Sequence, residues 1–260
     1  MSENTSSNSL INIELPPSID NAVTNLTDKP TASMGTTLSD LWYLVFGGIS
    51  YQAEKKKIKY SHDLEEYRKE LAESIAQIPE EKRIEPSVQT TAQALENSKY
   101  CLEEKELRLM FTSLISNSMN ADFQKDIHPS FAEILKQMSP LDATIIKTFK
   151  NSSTSGFPLC RYQKVQNKGH ITLLENVFLN YQTSNLAESS LAISSLVRLG
   201  LLETTYEESF TNDSLYTPFT EHPWFHMLKK QFPNATITIK RGRAFLSPLG
   251  RSFVRACIPD

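Results

Sequence analysis

Glycine is scarce in this chain, 8 in 260 residues, and none sits in a GxxxxGK[ST], GxGxxG or GxSxG pattern. Loops that cradle phosphates with backbone amides generally need glycine for close approach, so nucleotide hydrolysis by a known loop type is not expected. Cysteine is scarcer. Cys101, Cys160 and Cys257 are odd in number and widely spaced, which argues against a disulfide framework and against a CxxC metal site. Reduced thiols in the cytoplasm are the expectation. No sign of charge dominates, since 27 Lys and Arg face 30 Asp and Glu for a net charge of -3, and a general attraction to nucleic acid is not implied. A long apolar run is also lacking. The most apolar stretch, Leu38 to Ile49, contains Asp40 and ends near Gly47-Gly48, whereas a bilayer-spanning helix needs about 20 residues. The chain does not open on a basic segment followed by an apolar one, so secretion is not expected.

Chemistry-bearing residues do not converge in the sequence. His222 and His226 stand at a helical metal spacing, but Pro223 and Trp224 lie between them and no third ligand is evident. His62 and His170 are isolated, and His128 before Pro129 reads as a turn or cap residue. Asn117 and Asn120 end a helical pattern, where an amide suits a cap; a polar site shared by both is the alternative. No catalytic residue, metal ligand or cofactor is expected.

What the chain does have is helical periodicity. Residues 1–36, rich in Ser, Thr, Asn and Pro, read as a flexible tail. Residues 37–83 hold the apolar segment and a long helical arm. Leu38 to Ile49 is expected to dock on the core; the alternative is a membrane-surface or partner anchor, because Lys55, Lys56, Lys57 and Lys59 follow it. From Tyr51 to Ile78 one helix is expected, with Tyr60, Leu64, Tyr67, Leu71, Ile75 and Ile78 as its seam and Pro79 as its end. Residues 84–150 form the centre. Leu107, Met110, Phe111, Leu114 and Ile115, then Phe131, Ile134, Leu135 and Met138, then Leu141, Ile145 and Phe149 recur at three- and four-residue intervals. Four short helices packed as one core are expected. Glu103 and Glu104 are placed in a first helical turn, and Ser139-Pro140 with Asp142 reads as a capping box.

These central residues carry a resemblance. Pro86-Ser87-Val88, Leu102 through Phe111, Leu114-Ile115-Ser116-Asn117-Ser118-Met119-Asn120, His128-Pro129-Ser130-Phe131 and Ile134 through Ala143 together resemble the bacterial Abi-alpha family, also catalogued as DUF4393. The resemblance covers roughly residues 40 to 257 and is densest between 84 and 150. It implies a part in abortive infection, the sacrifice or arrest of a phage-infected bacterium. It carries over no catalytic residues.

Residues 151–260 differ in character. They hold 11 Lys and Arg against 8 Asp and Glu, whereas the first 150 hold 16 against 22, which directs a search for phosphate contacts to this half. After a polar loop at 151–156, helical patterns are read around Leu173 to Tyr181 and from Leu186 to Leu199, with Gly200 as a left-handed C-cap. Leu201 to Thr205 has strand character. Thr236 to Ile239 alternates, Arg241-Gly242 is read as a turn, and Ala244 to Leu246 as the returning strand; Ser247-Pro248 starts a last helix. That order is winged-helix-like. It would place Leu186 to Leu199 in the recognition position and Lys240, Arg241 and Arg243 on a wing tip, with Arg198 as a further phosphate contact. Against a DNA reader, the helix offers mostly Ser, Ala and Leu. Between the strands, Tyr206 to Pro233 is rich in aromatic rings, most of them expected to cover the sheet; exposed, they would form a partner surface.

The expectation is thus a mainly α protein, with a helical-bundle core followed by a winged-helix-like α+β lobe bearing a small antiparallel sheet. The family resemblance implies defence by binding rather than catalysis, with a phage or host protein as partner. The alternatives are a DNA-binding regulator using Arg198, Lys240, Arg241 and Arg243, and a peripheral membrane effector using Leu38 to Ile49.

Overall fold

The helical seams and turn residues are realised as ten α-helices and four β-strands among the residues that the computed structural model describes: 32–47, 54–150, 156–166, 169–179 and 185–259. The protein is mainly helical, with an α+β lobe built on a small antiparallel sheet. Residues 1–31 of the expected tail lie outside the described residues, and 32–36 belong to the first helix, α1 (Ala32–Phe46). The described part of the Leu38 to Ile49 segment docks on the core as expected, and 48–49 lie outside the described residues. Leu41, Val45 and Phe46 are buried, and the Trp42 ring lies 4.6 Å from Phe46 and 5.5 Å from Tyr67. Among the described residues no helix is long and apolar enough to cross a membrane.

Helix α2 (Glu54–Ala76) buries Tyr67, Leu71 and Ile75 within this chain, against α4 (Lys105–Ser118). The seam therefore serves intramolecular packing. The centre contains the four expected helices: α3 (Val88–Ser98), α4, α5 (Phe131–Lys136) and α6 (Pro140–Lys150). Ser87 caps α3 by accepting from the Thr90 amide at 3.4 Å. At α6 the capping box forms reciprocally: the Asp142 amide donates to Ser139 Oγ at 3.1 Å and the Ser139 amide donates to Asp142 Oδ2 at 2.9 Å. Helix α4 starts later than expected. Glu104 is its N-cap residue and Glu106 is the acid of the first turn.

One polar group is carried deep into this helical layer. Arg108 on α4 is 4% exposed and forks onto Glu70 of α2, with Nε and Nη2 each 2.9 Å from a carboxylate oxygen. Its Nη2 also reaches Glu66 at 2.8 Å, and Nη1 donates to the Leu102 carbonyl at 2.8 Å.

The lobe begins with an antiparallel hairpin, β1 (Phe157–Gln166) and β2 (Gly169–Val177). Here the helix read around Leu173 to Tyr181 is corrected: Gly169 to Val177 is a strand, and 180–181 lie outside the described residues. Leu173, Leu174 and Val177 mimic helical spacing, but pairing with β1 decides the backbone, and register shifts around Tyr162 accommodate the irregular apolar order. Next come α7 (Leu186–Arg198) and β3 (Leu202–Thr205), then two short helices, α8 (Thr217–Glu221) and α9 (Pro223–Gln231). β4 (Ile237–Leu246) and α10 (Pro248–Cys257) close the chain. Gly200, at φ 75°, ends α7 as expected.

Sheet order is β2-β1-β4-β3, all neighbours antiparallel. The expected turn at Arg241-Gly242 is corrected: β4 runs unbroken through it, paired with β1 from Phe157↔Ala244 to Lys164↔Ile237. Glycine is needed there for a different reason. A Cβ at Gly242 would lie 2.3 Å from the Thr205 carbonyl oxygen and 2.8 Å from the Tyr206 ring, so close strand approach explains it.

The sheet is covered on both faces. On one face Cys160, Tyr162 and Ile237 meet Tyr216, Phe219 and Phe225 of the aromatic segment, whose rings cover the sheet as expected. Tyr162 Oη donates to the Phe219 carbonyl and Tyr216 Oη to the Gly242 carbonyl, both at 2.8 Å, so these buried hydroxyls are satisfied. On the other face Phe157, Leu159 and Ala244 join the cluster that holds the helices together. Phe149 of α6 lies 5.0 Å from Phe157, and Phe253 of α10 lies 5.2 Å from Phe131 of α5, edge to face. The closing helix thus packs back onto α4 and α6, and one hydrophobic cluster runs from α1 to α10. All three cysteine thiols are free and buried, and burial pushes each up from its ordinary range.

Candidate interaction groove

Helix α7 is defined at both ends: Asn185 accepts from the Ala187 amide at 3.1 Å, and Gly200 stops it. Its inner face, Leu186, Ala192, Ile193 and Leu196, is buried against α6 and the sheet. Polar ties fix its rotation. Ser190 Oγ donates to the Glu175 carbonyl, Asn176 Nδ2 donates to Ser194 Oγ at 3.0 Å, and Ser195 Oγ donates to Asp142 Oδ2 at 3.1 Å. The outer face carries Glu188, Leu191, Ser194 and Arg198. Leu191 is 70% exposed, a large apolar side chain set between an acid and a base.

Between α7 and the start of α6 runs an open groove of about 750 Å³, lined by Pro140, Leu141, Asp142, Leu191, Ser195 and Arg198 among others. Its exposed wall is mostly apolar in area, although polar side chains such as Gln137, Glu188, Ser194, Ser195 and Arg198 recur along it at fixed positions. Asp142 is 3% exposed; Oδ2 is occupied by Ser139 and Ser195, while Oδ1 has no partner among the described residues.

Arg198 lines this groove, its Nη1 donating to Gln137 Oε1 at 3.0 Å. The other three candidate cations lie elsewhere. Lys240, Arg241 and Arg243 are in the body of β4 opposite Arg161, Cys160 and Pro158 of β1, so their assignment to a wing tip is corrected. Each is ion-paired with an acid of the segment after β3: Lys240 with Glu207 at 3.5 Å, Arg241 with Asp213, Arg243 with Glu208. The structure therefore does not bring Arg198 together with the strand cations.

The remaining polar candidates resolve into local roles. His128 Nδ1 is 2.7 Å from Ser130 Oγ in the turn before α5, and His222 Nδ1 accepts from the Trp224 amide at 3.2 Å as the cap of α9. Partial burial lowers the His222 imidazole pKa. His62 is not isolated: with Asp63 and Glu66 it forms the one group of potential metal ligands among the described residues. Glu66 is already engaged by Arg108. Asn117 and Asn120 do share a site, a polar cleft of about 330 Å³ with Ser74, Ser113, Ser116 and Arg255. Both also hold structure, since Asn117 Nδ2 donates to the Ala256 carbonyl at 2.9 Å and Asn120 Oδ1 accepts from the Asp122 amide at 3.0 Å.

Leu191 is the residue that sequence reasoning passed over. The signal was present: it lies off the Leu186, Ile193, Leu196 seam and so had to face outward.

The chain belongs to the abortive infection alpha family, whose model matches residues 59–257. The matched span includes every helix from α3 onward and the whole sheet, which makes this a defence-related protein. No curated protein and no solved structure matches the chain.

Proposed function

We propose that the protein acts in abortive infection by binding a protein of the phage or the host, through the outer face of α7 and its groove, without catalysing a reaction itself. The observation that carries this reading is Leu191, 70% exposed beside a largely apolar groove on a helix held from both sides. Exposed apolar side chains scattered singly need no explanation, but one that borders an apolar groove is where a partner gains most by excluding water. DNA binding through the lobe has less support, because the three strand cations already face carboxylates and a phosphate would have to displace them.

The test is affinity capture from infected and uninfected cells with tagged wild type and Leu191→Glu as baits. A protein retained in comparable molar amount by wild type and lost with the variant is expected. Recovery of the same proteins by both baits contradicts the reading. A low-salt gel shift abolished by joint alanine substitution of Lys240, Arg241 and Arg243 would instead favour the regulator.

A further inference from the structure

The outer face of α7 is complementary to itself. Glu188 stands at one end and Arg198 at the other, ten residues or about 15 Å apart along the axis. Leu191 protrudes between them, with Ala192, Ser194 and Ser195 beside it lining the groove. When a second such helix is laid antiparallel across the outer face of the first, about a two-fold axis level with position 193 along the helix, position 188 faces 198 and position 191 faces 195. Glu188 of each copy then meets Arg198 of the other, and each Leu191 enters the other's groove beside Ser195, Pro140 and Leu141. A two-fold interface requires one patch to serve as both knob and socket, and this patch supplies both together with matched charge.

We propose that a second copy of this chain occupies the groove, so that the protein is an isologous dimer paired through α7 when no phage or host partner holds that face. This rests on the reading that the α7 face is the binding surface, and it names the first occupant of that surface. Arg198 gives up its neutral bond to Gln137 for a charged one, and Glu188, held by Asn185 Nδ2 at 2.9 Å, stays oriented along the helix start.

Mass measurement by light scattering coupled to gel filtration, on the full chain between about 1 and 100 µM, tests the pairing. Wild type is expected at twice the chain mass at the upper end, and Leu191→Glu at the single mass throughout. Glu188→Arg sets like charges against Arg198 at both ends and is expected to weaken the dimer by roughly tenfold, and the swap of Glu188→Arg with Arg198→Glu to restore it. All three positions are outward-facing, so unchanged far-ultraviolet circular dichroism and melting temperature establish that the variants fold. A wild type that stays monomeric, or a dimer indifferent to these changes, overturns the proposal. The two readings fail separately: a monomer that captures a protein partner in a Leu191-dependent manner removes only the dimer, whereas a Leu191-dependent dimer with no loss of defence in Leu191→Glu removes only the binding role of this face.

Discussion

Arg108→Ala is expected to lower unfolding stability by about 3 kcal/mol, the low end of the range for breaking a buried ion pair. The guanidinium is 4% exposed and satisfies Glu70 twice, Glu66 once and the Leu102 carbonyl once. Without it the Leu102 carbonyl and Glu70, whose side chain is only 20% exposed, lose charged donors, while Glu66 at 49% can turn to water. Partial escape of Glu66 is why the low end applies. Arg108→Lys is expected to recover little, because an ammonium cannot fork onto both oxygens of Glu70 while still reaching Leu102. Urea denaturation followed by circular dichroism measures the shift; a loss below about 1 kcal/mol would show that the cluster does not hold α2 to α4.

Phe253→Ala is expected to cost about 3–5 kcal/mol and to lower the melting temperature by roughly 10 °C. The ring is fully buried on α10, edge to face with Phe131 at 5.2 Å, and it belongs to the cluster shared by the helices and the sheet. Its loss opens a cavity where the closing helix joins the helical layer. Phe253→Leu, which keeps most of the volume, is expected to cost about 1–1.5 kcal/mol. Scanning calorimetry distinguishes the outcomes: a single lowered transition agrees with one shared core, and a separate early melting of the sheet does not.

The helical half was legible because its signals are local. Ser139, Pro140 and Asp142 form a capping box wherever they fall at a helix start, and the seam from Leu107 to Ile115 needs only period 3.6 to declare its buried face. The strands were harder for the opposite reason. β1 includes Arg161, Gln163, Lys164 and Gln166; it pairs with β4, about 80 residues on, and one face is covered by Tyr216, Phe219 and Phe225, none of which a local window contains. Gly242 misled in the same way: a glycine beside arginines suggests a turn, while the true constraint is the Thr205 carbonyl and the Tyr206 ring crowding its α-carbon. With that turn removed, the wing tip went too, and Lys240, Arg241 and Arg243 became sheet residues facing acids. The groove was half legible. Arg198 was singled out for charge and does line it, whereas Leu191 and Asp142 meet there only because α6 packs against α7.

Phage challenge of cells carrying wild type or Leu191→Glu tests most directly whether the outer face of α7 carries out the defence. The account predicts that the variant accumulates to the wild-type level, melts at the same temperature and no longer limits phage spread. Full protection by a folded Leu191→Glu protein would contradict it.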